Sequence, residues 1–137
     1  MELKSSNIIL YDSDKRFLLQ HRTWDAVRLP GYWAFFGGGI KDGESPENAV
    51  RREALEEIGY NPIEPLLLVE QNFRLRDDYG YMYVFIEPFN GDKFELKLQE
   101  GQGWGWFSAS EIDTLKMIDH DRKIIKTAAN YLADLCG

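Results

Sequence analysis

Gly38-Gly39-Ile40-Lys41-Asp42-Gly43-Glu44-Ser45-Pro46-Glu47-Asn48-Ala49-Val50-Arg51-Arg52-Glu53-Ala54-Leu55-Glu56-Glu57-Ile58-Gly59-Tyr60 carries the densest local signal in the chain. Ser45 suits a helix N-cap, Pro46 the first helical position and Gly59 the stop, so the spacing predicts a helix between them. Val50, Ala54 and Ile58 recur every four residues and give that helix a buried stripe. At about 100° per residue, Glu53, Glu56 and Glu57 project into one arc beside the stripe. Like charges three and four residues apart repel by a few tenths of a kcal/mol each, and partial burial adds a desolvation cost. A divalent cation would reverse the sign, and all-oxygen ligands point to Mg2+ or Mn2+ over a softer metal. A solvated acidic face is the plainer reading of a bare Glu-x-x-Glu-Glu.

Outward from this helix, strand and turn signals fill the chain without a linker or repeat. Asn7 to Tyr11 and Phe17 to Arg22 read as a hairpin around Asp12-Ser13-Asp14-Lys15. Residues 28–33 read as a loop and Ala34-Phe35-Phe36 as a short buried strand. The glycines 37–39 that follow permit close ligand approach. Pro65 toward Leu75 and Tyr81 to Ile86 are strands around a turn at residues 77–80, and Trp104 to Phe107 is a last short strand. Ser108 or Ser110 caps a short helix through Leu115. A final helix runs from about Asp119 to Leu135, with Ile124, Ile125, Ala128, Tyr131, Leu132 and Leu135 as its buried side. Strands mixed with three helices suggest an α/β sheet covered on both faces.

The 137 residues suit one domain, 1–137, and 44% apolar with 14% aromatic residues can fill its core. A net charge of −7 argues against a nucleic-acid polymer as partner. The lone Cys136 allows no internal disulfide and no cysteine-based zinc cluster. The opening Met1-Glu2-Leu3-Lys4 lacks the apolar run of a signal peptide, and no segment is long and apolar enough to cross a bilayer. A cytoplasmic setting without membrane contact is the expectation.

Gly38, Glu44, Arg52, Glu53, Glu56, Glu57 and Gly59 together reproduce, at the right spacing, all seven fixed identities of the Nudix box, here residues 38–60. The chain therefore resembles the Nudix hydrolase family. Ala54 is small for its apolar place in the box, and Phe36 stands where a proline is more usual. Glu100-Gly101-Gln102 is similar to a segment of MutT-type members whose glutamate reaches the metal from a facing loop. The resemblance implies a Nudix fold, an α/β/α sandwich with a central mixed β-sheet. It also implies Mg2+-dependent hydrolysis of a pyrophosphate bond in a nucleoside diphosphate linked to another group.

On that resemblance the expected metal ligands are Glu53, Glu56, Glu57, Glu100 and the Gly38 carbonyl. Glu53 and Glu100 are the two candidates for the base, and Arg52 orients the carboxylates, pairing with Glu44 or a ligand. Arg22 and Lys41 are candidates for phosphate contact, and Phe35 and His120 for the base or sugar. Solvated charge is the competing reading for Arg22 and Lys41, as core packing is for Phe35 and a surface cap for His120. The leading activity is that of a MutT-like nucleoside triphosphate pyrophosphohydrolase. A nucleotide-sugar or dinucleoside-polyphosphate hydrolase is the alternative, and a non-catalytic nucleotide-binding domain is the alternative of another class. The expected partner is a small nucleotide, and a homodimer is a candidate assembly.

Overall fold

Residues 2–75, 78–98 and 103–136 are described in the computed structural model. Strand β1 (Glu2–Tyr11) runs through a seven-stranded mixed sheet. Along one edge β6 (Asp78–Pro88) pairs with it in parallel, and β5 (Leu66–Leu75) pairs antiparallel with β6. Along the other edge β1 meets β4 (Phe36–Gly39) through Ser5 to Ile8 and β2 (Phe17–His21) through Tyr11. β2 in turn carries β3 (Trp33–Ala34) and β7 (Gly103–Phe107).

The period-two alternation of strands splits the apolar residues between two cores. Ile8 and Leu10 of β1, Leu18 of β2 and Phe85 of β6 pack with Val50, Ala54 and Ile58 of helix α1 (Pro46–Ile58). Ile9, Phe17, Leu19, Met82, Val84 and Ile86 point the other way, onto Ile124, Ile125, Ala128 and Leu132 of helix α2 (Asp119–Cys136). Each fully buried aliphatic side chain contributes about 1.5–3 kcal/mol. This is the expected α/β/α sandwich around a mixed sheet.

Helix α1 begins and ends as its sequence dictates. The Ser45 hydroxyl accepts the Asn48 N–H at 3.1 Å, Pro46 opens the first turn, and Gly59 closes the helix at φ 66°. Elsewhere the structure corrects the expected bounds. β1 starts at Glu2, well before Asn7, because Lys4-Ser5-Ser6 lacks apolar alternation yet pairs throughout with β6. Ser6 is buried there and donates to the Pro46 carbonyl at 2.7 Å, which ties β1 to the start of α1. The turn expected at residues 77–80 gives way to β6, which begins at Asp78. Gly80 lies within that strand because a Cβ would stand 1.9 Å from the Leu3 carbonyl oxygen, so its role is close approach of two strands.

The helix expected after Ser108 is a 3-10 turn over Ile112–Thr114, for Ser108 spends its N–H and hydroxyl on the Glu111 carboxylate. A second 3-10 turn covers Lys93–Glu95. Among the described residues two α-helices therefore stand in place of the three helices expected. On α2 the packed stripe ends at Leu132, and Leu135, expected inside, is 61% exposed. No helix among the described residues is long and apolar enough to cross a membrane.

Candidate active site

Helix α1 lies against β4, and the two bring the acidic arc onto the glycines. Glu57 is buried, and its Oε1 accepts the Gly37 N–H at 2.9 Å. One turn earlier, the Glu53 carboxylate sits directly over Gly38. A Cβ at position 38 would stand 2.7–2.9 Å from its carboxyl carbon and oxygens, so any side chain there would push Glu53 away. Glu56, the third member of the arc, is 56% exposed.

Arg52 fixes this cluster. Its guanidinium binds both oxygens of Glu44, at 2.7 and 3.0 Å, and donates to Glu53 at 2.9 Å and to the Gly39 carbonyl at 3.0 Å. A longer bond of 3.4 Å reaches Glu56. Arg52 thus contacts both Glu44 and the arc, the two partners its position allowed. These bonds hold the guanidinium in its charged form more firmly than usual, with Glu44 the chief cause. In return the Glu44 carboxyl is held at about 2, first by Arg52 and then by the Lys41 backbone N–H. Lys41 serves the cluster through that backbone group, while its side chain is exposed and does not line the cavity described below.

Three carboxylates on one guanidinium, with Glu57 on the neighbouring glycine, leave an excess of negative charge carried by hard oxygen donors. That chemistry fits a hard divalent cation. Glu53 and Glu57 at adjacent glycines are the described side chains best placed to hold one. Among the described residues no three acidic, histidine or cysteine side chains converge into a complete cage. Glu100, expected to reach this place from the facing loop, lies outside the described residues.

Gly37 and Gly38 also line a cavity of about 270 Å3, near the lower end of the range for small-molecule sites. Arg22 and Arg28 border it with two cationic side chains, and Phe35, Phe73 and Met82 give it apolar wall. His120 and Asp121, at the start of α2, add polar groups. Burial raises the Asp121 carboxyl above the usual carboxylate range, against the opposing pull of His120. The His120 Nδ1 lies 3.0 Å from the Asp121 Oδ1, yet neither ring nitrogen makes a directed hydrogen bond to a described residue.

Three expected substrate contacts, Arg22, Phe35 and His120, thus share one cavity beside Glu53 and Glu57, and Lys41 does not join them. Arg28, Phe73 and Asp121 were not singled out from sequence. Their positions carry no motif, and only the fold brings them to the same space.

Known proteins share sequence and fold with this chain. A model of the NUDIX domain matches residues 1–128. The nucleoside triphosphatase NudI of Escherichia coli is 44% identical over 61 residues, 44% of this chain and 40% of that relative. The match thus spans less than half of the curated relative's length. A MutT protein from Methanosarcina mazei Go1 superposes with a TM-score of 0.81 at 24% identity, over 91% of each chain. The NUDIX domain of Shewanella oneidensis NrtR, solved with ADP ribose, superposes with a TM-score of 0.79 at 18% identity, over 96% of this chain and 89% of that one. At these identities the two structures speak for the fold alone.

Proposed function

The chain belongs to the Nudix family, and from that premise we propose that it hydrolyses a nucleoside triphosphate to a nucleoside monophosphate and pyrophosphate, with Mg2+ or Mn2+ as the cofactor. The observation that carries this reading is the seating of the Glu53 carboxylate on Gly38, at the rim of a cavity bordered by Arg22 and Arg28. Carboxylates gather on the two glycines at one edge of the cavity, and arginines of a separate loop line it. A polyphosphate needs both, one to hold its counter-cation and the other to bind its own oxygens.

Family members generally work with a divalent metal. Glu53, Glu57 and the Gly38 carbonyl would hold it, with Glu56 beside them and Glu100 from the facing loop. The metal would neutralise phosphate charge and acidify a water. Arg52 keeps Glu53 oriented through the 2.9 Å bond, a supporting task that commonly matters 10–100-fold at metal sites. Glu53 or Glu100 takes the proton of the attacking water. Arg22 and Arg28 bind phosphate oxygens, and the nucleobase lies against the apolar wall of Phe35, Phe73 and Met82, toward His120 and Asp121.

Incubation with Mg2+ and a panel of nucleoside triphosphates, dinucleoside polyphosphates and nucleotide sugars tests the reading. Pyrophosphate and a monophosphate are the expected products. Release of orthophosphate, exclusive cleavage of nucleotide sugars, or nucleotide binding with no cleavage would each refute it.

A further inference from the structure

The loop over residues 22–32 joins β2 to β3, and much of it is exposed. Val27 is 97% and Trp24 66% exposed. It nevertheless supplies Arg22, Arg28 and Leu29 to the cavity. Within the loop the Arg22 N–H bonds the Tyr32 carbonyl at 2.9 Å, the Gly31 N–H bonds the Thr23 carbonyl at 3.1 Å, and the Arg22 Nε bonds the Arg28 carbonyl at 2.8 Å. The Trp24 ring lies flush on Gly31, where a Cβ would stand 2.2–2.7 Å from ring carbons, and meets the edge of His21 at 6.2 Å. These bonds shape the loop but do not anchor its outer side.

An anchor comes from the connector that precedes α2. The Lys116 ammonium stands 4.6 Å from the centre of the Tyr32 ring and 5.6 Å from that of Trp24, both within cation–π range. No ion pair joins it to a described residue, so the two rings are its partners. Its backbone is a fixed post. The Lys116 carbonyl accepts the Trp33 N–H at 2.8 Å. On either side of it, the carbonyls of Ile112, Leu115 and Met117 all accept from the Arg122 guanidinium, at 2.7–3.1 Å. Helix α2 therefore pins the connector, the connector holds Lys116, and Lys116 reaches the two rings that flank the arginine-bearing loop.

We propose that Lys116 is a positioning residue whose ammonium, resting on Trp24 and Tyr32, holds the 22–32 loop so that Arg22 and Arg28 face the cavity and bind the substrate's phosphates. The phosphate part rests on the function proposed above, while the clamp itself does not.

Because Lys116 is exposed, replacing it leaves the core untouched. In the full chain without ligand, Lys116→Met should speed amide hydrogen exchange at Arg22, Gly31 and Tyr32 by about tenfold and leave β1 and β6 unchanged. Lys116→Arg, which keeps a cation over the rings, should restore the protection. Exchange at those three amides that does not change in Lys116→Met overturns the clamp, whatever the activity. With Mg2+ and a nucleoside triphosphate, Lys116→Met should raise KM about fivefold and change kcat less than twofold, with recovery in Lys116→Arg. A fall in kcat at constant KM, or a faster loop with unchanged KM, overturns the positioning role. A wild-type protein that cleaves no nucleotide would instead sink the function proposed above, and the exchange data would still decide the clamp.

Discussion

On the glycine side of the cavity, the acidic side chains come from one helix and the loop just before it, and one arginine of that helix binds three of them. On the loop side, the cationic side chains ride on an exposed loop, steadied by rings and a lysine that lie far apart in sequence. The first side is built by local periodicity and stiffened by ionic bonds. The second is shaped by hydrogen bonds within the loop and held from outside by long-range contacts that are individually weak. A rigid carboxylate cluster suits the chemical step, where small displacements are costly. A loop whose contacts are weak suits capture and release, where they are tolerable. The expectation is that the glycine side governs kcat and the loop side governs KM.

The largest effects should come from the glycine side. Removal of divalent cations with EDTA should reduce turnover to background, and readdition of Mg2+ should restore it. Cleavage that persists in EDTA would break the link between the clustered acids and the reaction. Glu53→Gln should lower kcat by at least about 100-fold while circular dichroism and melting stay near wild type. Retention of full activity would remove Glu53 from the reaction. On the loop side, Arg22→Ala should raise KM roughly tenfold and move kcat little, in steady-state assays across substrate concentration. A dominant loss of kcat there would erase the proposed division between the two sides.

The smallest effect concerns Glu44, which supports the cluster without bordering the cavity. Its carboxyl is held at about 2 in the fold against an ordinary value of 4.5. A depressed carboxyl stabilises the folded state fully above the unfolded value and loses that contribution as pH falls toward the folded one. Glu44→Gln should therefore lower Tm above pH 4.5, by a few degrees at most for an ion pair at the protein surface. The gap should close as pH approaches 2. A gap that stays constant with pH would assign Glu44 a packing role.

The glycine side was legible in the sequence because its signals are local. The cap at Ser45, the stop at Gly59 and the spacing of Val50, Ala54 and Ile58 fix the helix, and 100° steps then carry Glu53 and Glu57 to its inner edge. The same geometry left Glu56 at the outer edge of the arc, and only the packing of α1 against β4 decides how far it is exposed. The loop side was legible in part. Arg22 and Phe35 stand next to strands that sequence could find. Arg28 and Phe73 meet only because β2, β5 and the loop converge, and Lys116 carries no pattern at all, since a cation over two rings leaves no periodic trace. Gly80 misled for a related reason. Glycine signals a turn locally, whereas here it makes room for a neighbouring strand.

The alternation of Ile8, Ile9 and Leu10 between the two cores makes β1 intolerant of any change in length. A single residue inserted before Ile8 would shift the rest of the strand by one position against β6 and swap which side chains meet α1 and which meet α2. Both hydrophobic layers would be exchanged at once, and Ile8 would lose its pairing with Phe36, the residue next to the glycines that lie under Glu53 and Glu57. In a library of one-residue insertions, β1 should be barren, while the exposed residues at Asn90 and Gly91 should accept additions freely.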